Sequence, residues 1–212
     1  MCDKIEERIV GTGEKYTSHN HERTTPMTDK LQQLKEICES CRSCELCTTR
    51  TNCVFGVGNP ASPIMFIGEA PGEEEDRQGI PFVGAAGKLF DRYLFAVGIK
   101  REDVYIANIL KCRPPRNRDP LPSEQDACLP LLRAQVKLIR PKIIVCLGRI
   151  AAQKLISEDF KITRDHGKWT ERAGISMCAV YHPAALLRDP QKKGDMLDDM
   201  KNIKARLDGI QA

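Results

Sequence analysis

Cysteines carry the most legible chemistry in this chain. Cys38, Cys41, Cys44 and Cys47 form an unbroken C-x2-C-x2-C-x2-C run, and Cys53 lies close behind it. Cys112 and Cys128 stand apart, while Cys2, Cys146 and Cys178 are isolated. A C-x2-C step lets two thiolates face one metal centre, so the run suits tetrahedral zinc or an iron–sulfur cluster. All-cysteine ligation by separated pairs favours the softer cluster. Evenly spaced cysteines on a polar loop have no packing explanation, but spacing alone does not choose which four ligate. Cys146 and Cys178 fall in apolar runs and read as small core residues.

The remaining chemistry collects just after short apolar runs. Stretches 64–68, 104–110, 143–148 and 177–181 are β-like, and the loops behind them read GEAPGEEED, KCRPPRNRDP, GR and HPAALLRDP. Asn108 closes the second run and His182 follows the last. Either could be structural: a histidine at a strand end, a capping asparagine. Lys111, Arg113, Arg116 and Arg118 place four positive charges within eight residues, which as a bare run describes a solvated loop.

Helical patterns that would position these loops cover about 30–40, capped by Thr28 or Asp29, then 86–97, 123–139, 149–157 and 194–208. Continuous apolar strands separated by helices predict a parallel sheet covered on both faces. The expected fold is a single three-layer α/β/α domain with a central four-stranded parallel sheet. Ligands of such sheets sit at the carboxyl ends of the strands, where the charged loops are.

The whole-chain figures exclude several classes. With 212 residues, 41% hydrophobic and 29% charged, the chain is long and apolar enough to fold without staples and is not disordered throughout. No apolar run approaches the ~18 residues of a membrane span, and the N-terminus lacks the apolar core of a signal peptide. A cytoplasmic location, without membrane partners, is the expectation. In that reducing setting the ten cysteines read as metal ligands rather than disulfides. The net charge of +4 allows nucleic acid without demanding it. Residues 1–27 are polar and aperiodic and read as a disordered leader that carries His19 and His21 in solvent, ahead of a folded domain over 28–212. Met27, just before the first helical pattern, suggests a start downstream of the one given.

Three segments together bring a family into view: GEAPGEEEDRQGIPFVGAAGKLFD at 68–91, VYIANILKCRPPRNRDP at 104–120 and YHPAALLRDP at 181–190. From about Leu31 to the C-terminus the chain resembles the family 4, iron–sulfur uracil-DNA glycosylases. The resemblance implies a monomeric repair enzyme that everts uracil from DNA and hydrolyses its N-glycosidic bond, leaving an abasic site. It implies a structural 4Fe–4S cluster on Cys41, Cys44, Cys112 and Cys128, with Cys38 and Cys47 as extras. Cluster binding would pin the loop bearing Lys111–Arg118 to the N-terminal segment.

The same resemblance assigns the pocket. His182 would donate, as a neutral imidazole, to the uracil carbonyl beside the glycosidic nitrogen and stabilise the departing anion. Asn108 would read the carbonyl and N–H of uracil's edge, a pattern that cytosine reverses. Phe82 would stack on the base. Gly68 and Gly72 would let backbone approach base and sugar. Glu75 would fill the space against C5 and exclude thymine's methyl group. Ala70 stands where other uracil glycosylases carry a water-positioning Asp, as is usual in this family, so Glu69 or backbone must orient the water. Leu187 would wedge into the vacated stack, and Arg188, Arg113 and Arg116 would meet phosphates.

Two other readings compete. A non-catalytic iron–sulfur DNA-binding or electron-transfer protein would explain the cysteines but not the Asn108 and His182 motifs. A relative that forms a covalent adduct with uracil-DNA is disfavoured, because segment 113–122 lacks the inserted basic, histidine-bearing loop.

Overall fold

The computed structural model describes residues 27–211. Cys2, His19, His21 and the expected leader up to residue 26 lie outside the described residues.

The elements run α1 (Met27–Glu39), α2 (Leu46–Thr49), β1 (Val57–Gly58), β2 (Ile64–Gly68), α3 (Glu73–Gln78), α4 (Ala85–Ala96), β3 (Tyr105–Asn108), α5 (Pro122–Ile139), β4 (Ile143–Leu147), α6 (Arg149–Leu155), α7 (Ile162–Asp165), β5 (Thr170–Arg172), β6 (Ile175–Val180), α8 (Pro183–Arg188) and α9 (Lys193–Gln211). The strands form one six-stranded sheet in the order β1-β3-β2-β4-β6-β5. Its central four, β3, β2, β4 and β6, pair in parallel, as expected. The edges correct the expectation of a four-stranded parallel sheet: β1 runs antiparallel to β3, and β5 antiparallel to β6. Neither edge strand has an apolar period to betray it. β1 has two residues with Val57 exposed, and all three of β5 are exposed.

The apolar runs are continuous because the sheet is buried on both sides. Alternate residues divide between two cores. Met65, Ile67, Ile144, Cys146, Met177 and Ala179 pack with α1 and α5 residues such as Leu34 and Leu132. Ile64, Phe66, Ile143, Val145, Cys178 and Val180 pack with Phe90 and Leu94 of α4 and Met200 and Ile203 of α9. Cys146 and Cys178 are therefore core residues of opposite faces. No helix among the described residues is long and apolar enough to cross a membrane.

From β2 the chain steps outward to β3, and β4 is then laid on the other side of β2. That reversal opens a crevice beyond the carboxyl ends of β2, β3 and β4.

Candidate active site and cysteine site

A cavity of about 620 Å³ occupies this crevice. All four strand-end loops line it: Glu69, Ala70, Gly72 and Glu75 after β2, Asn108 and Asn117 from β3 and its loop, Gly148 and Arg149 after β4, His182 and Arg188 after β6. Hydrogen bonding continues one step past the strands. Ile109 N–H donates to the Gly68 carbonyl, Leu110 N–H to that of Glu69, and Gly148 N–H to that of Val180, at 3.0, 3.0 and 2.8 Å. The functional loops thus leave the sheet already in register.

Asn108 is 2% exposed, and its Oδ1 is the buried side-chain polar atom without a hydrogen-bond partner among the described residues. An unmet buried acceptor costs about 1–3 kcal/mol, so its persistence at a cavity wall calls for a donor from a ligand. Gly68 makes room for it: a Cβ there would lie 2.4 Å from Asn108 Oδ1 and 2.7 Å from Phe82 Cζ.

Phe82 is buried and adopts a left-handed backbone, φ 55°. Such a backbone is uncommon for a bulky residue and is held from two sides. Glu75 Oε1 accepts from the N–H groups of Val83 and Gly84, both at 2.9 Å. Gly87 on α4 lets the loop sit against the helix, since a Cβ there would fall 1.9 Å from the Phe82 carbonyl oxygen. The Phe82 ring then lies 5.7 Å from the His182 imidazole, tilted by 34°.

His182 caps α8. Its Nδ1 accepts from Ala184 N–H at 3.1 Å, so the proton of the neutral ring resides on Nε2. Burial, with Arg188 nearby, pulls its pKa down to about 4 against the opposing pull of Glu75. Burial, with Asp119 next, pushes Glu69 up to about 7, and Arg149 opposes this. Asp119 and Arg149 are themselves paired at 2.8 Å.

The basic loop is less available than its sequence implies. Lys111 is 1% exposed, which takes it out of the solvated basic run that the sequence suggests. Arg113 bonds Glu73 at 3.3 Å and Asn117 at 2.8 Å, and Arg118 holds Glu124 through two bonds of 2.6 and 2.9 Å. Arg116 is exposed without a partner among the described residues, as is Arg188. Leu187 is half exposed beside it. Sequence reasoning passed over Asn117, Asp119 and Arg149 as cavity-lining residues. The strand-end rule points to all three, since they sit in loops already singled out.

The cysteines meet under the β3 loop. Cys38, Cys41, Cys44, Cys47, Cys112 and Cys128 line one small cavity with Arg50 and Lys111. Arg50 Nη1 donates to Cys112 Sγ at 3.1 Å, and Lys111 N–H to Cys128 Sγ at 3.3 Å. Cys53 Sγ lies 2.9 Å from Cys38 Sγ. N–H donors aimed at sulfur are the surroundings of metal-bound thiolates. Among the described residues, no three His, Cys, Asp or Glu side chains converge as ligands of one metal ion.

Comparison with known proteins agrees with this geometry. Residues 55–205 match the Uracil DNA glycosylase superfamily. The type-4 uracil-DNA glycosylase of Archaeoglobus fulgidus is 51% identical over 163 residues, covering 73% of this chain and 82% of the relative. Those of Sulfurisphaera tokodaii and Thermotoga maritima are 46% and 44% identical, over 73% and 74% of this chain and 74% and 83% of theirs. With 51% identity to such a relative over 73% of its length and its strand-end loops closing on one cavity, this chain belongs to the type-4 uracil-DNA glycosylases of that superfamily.

Proposed function

We propose that the protein excises uracil from DNA by hydrolysis of the N-glycosidic bond, and that the buried, unpartnered Oδ1 of Asn108 is the observation that carries the assignment. Uracil presents N3–H beside its O4 carbonyl. The N–H satisfies Oδ1, and the Asn108 amide N–H groups donate to O4. Cytosine offers a lone pair and an amino group in those places and leaves the acceptor unmet. Reaching this pocket requires the base to leave the duplex, at a cost of a few kcal/mol. Phe82 supplies the stacking face that replaces the lost neighbours, while Leu187 fills the gap and Arg188 and Arg116 hold phosphates. Arg113, bridged to Glu73 and Asn117, contributes to the DNA face through the loop it braces.

Cleavage moves the N1–C1′ bonding pair onto uracil and leaves positive charge on the sugar. Nε2–H of neutral His182 donates to O2 as it becomes anionic. Glu69, as carboxylate, orients water towards C1′ and takes up its proton, a task that Ala70 cannot perform. Gly72 keeps backbone close to the base, and Glu75 holds the wall that excludes a C5 methyl group. Free uracil and an abasic site result, without strand cleavage.

Cys41, Cys44, Cys112 and Cys128 would hold a 4Fe–4S cluster, whose contribution is to tie the β3 loop to the N-terminal segment. The donors are all thiols, and N–H groups of Arg50 and Lys111 reach the Cys112 and Cys128 sulfurs, which suits a soft-metal cluster. We place the enzyme in the cytoplasm as a monomer.

Incubation with a uracil-containing oligonucleotide followed by alkali tests the reaction. Alkali-labile sites are expected at uracil alone. His182→Ala should lose about 10²–10³ in rate while still binding DNA. If the wild-type protein yields no such sites, the assignment is wrong. For the cofactor, the purified protein should be brown and contain iron and sulfide, and Cys112→Ala should lose both.

A further inference from the structure

Lys111 was singled out as part of a basic run, yet its ammonium is inside the protein and touches no DNA-facing group. Nζ donates to the main-chain carbonyl of Asn108 at 2.9 Å and to Gln135 Oε1 at 2.6 Å. Gln135, which is 0% exposed, is fixed in turn by donating to the Phe55 carbonyl at 3.0 Å and the Tyr105 hydroxyl at 3.2 Å. The main chain of Lys111 is held as firmly. Its N–H donates to Cys128 Sγ at 3.3 Å, and its carbonyl accepts from Val54 N–H at 2.8 Å. One residue therefore touches the cysteine site with its backbone and the end of β3 with its side chain.

Burying a long cationic side chain costs heavily unless it is used. Nothing in the uracil chemistry above uses this one. Its position does. Asn108 is the last residue of β3. The peptide that follows it is anchored on one side, where Ile109 N–H donates to the Gly68 carbonyl of β2 at 3.0 Å. Its carbonyl points the other way and meets Lys111 Nζ. The plane of that peptide bears on the direction of the Cα–Cβ bond and thereby of the carboxamide. A donor bolted to Gln135 gives it a second anchor from the far side of the strand.

We infer that Lys111 is a positioning residue for base recognition: through the Asn108 carbonyl it holds the reading amide in register with the cysteine site. This rests on the reading of Asn108 as the uracil-recognising group. Its consequence is that discrimination between uracil and cytosine depends on a residue that contacts neither base.

The test uses the holoenzyme and fluorescence anisotropy with two oligonucleotides. One carries a cleavage-resistant 2′-fluorinated deoxyuridine, the other deoxycytidine at the same place. Lys111→Met should lower the preference for the uracil oligonucleotide about 10-fold, as expected for a charged hydrogen bond, with iron content and deoxycytidine-oligonucleotide binding retained. In an Asn108→Ala background the same substitution should add less than about 2-fold, because two residues acting through one contact are not additive. Multiplying effects, or an unchanged preference in Lys111→Met, overturn the inference. Should Lys111→Met lose its iron, Gln135→Leu leaves the lysine and every cysteine in place. It should show a smaller loss with the same non-additivity, and wild-type preference there is equally fatal. An Asn108→Ala protein with undiminished preference would instead strike at the reading of Asn108 itself.

Discussion

Burial acts on Glu69 and His182 in opposite directions, since it disfavours whichever form is charged. The carboxyl rises to about 7 and the imidazole falls to about 4. Near neutrality His182 is thus a neutral donor, and Glu69 is divided between acid and carboxylate. If the carboxylate orients water, kcat/KM must rise with pH through about 7 and then level off. Glu69→Gln should lower the plateau and remove that limb, and a pH–rate series on both proteins measures it. The stability sign is also fixed. A carboxyl raised in the folded state favours the protonated fold, so stability falls as pH rises from the ordinary value of 4.5 through about 7. Glu69→Gln should therefore melt higher than wild type at pH 8 while losing rate. Both residues were legible as chemistry in the sequence. Their protonation was not, because it depends on Asp119, Arg149 and Arg188, which other loops bring to them.

Short elements, rather than long ones, aim the groups proposed to react. The long helices and the four parallel strands are legible from apolar period. The six-residue α3 and α8 are not, having too few turns to show a period. Yet α3 supplies Glu75 to the Phe82 loop, and α8 begins at His182. The turn before α6 does comparable work through a residue that does nothing chemical. Gly148 sits at φ 95°, ψ 176°, a conformation essentially reserved for glycine. A Cβ there would stand 2.8 Å from His182 Cβ. Gly148→Ala should move the imidazole by a fraction of an ångström and cost about 10–100-fold in kcat, as misplacements of that size do. Affinity for uracil-free DNA should be unchanged. Intact kcat with a lowered melting temperature would mean that the glycine serves the turn alone.

On the scale of the whole molecule, the cysteine site and the cavity are two ends of one brace. The buried carboxylate of Asp76 on α3 accepts from Thr51 N–H at 3.0 and 3.1 Å, which fastens the cysteine loop to the helix carrying Glu75. Arg50 bonds both Cys112 Sγ and the Glu39 carbonyl. Such long-range pairings leave no local pattern in the sequence. The distinction between bracing and free cations makes a prediction about DNA binding. Each cation that neutralises a phosphate releases a counterion, giving a slope of about −0.9 per contact in log K against log salt. Arg113 and Arg118 already spend their charge on Glu73 and Glu124, whereas Arg116 and Arg188 have no partner among the described residues. Anisotropy titrations with a uracil-free duplex over a range of salt should separate the two classes. Arg116→Ala and Arg188→Ala should each flatten the slope by about one. Arg118→Ala should leave the slope and lower the melting temperature, because it strands Glu124, whose side chain is 7% exposed. Equal slopes for all of these variants would mean that DNA meets the protein on some face other than the one bearing α8 and the β3 loop.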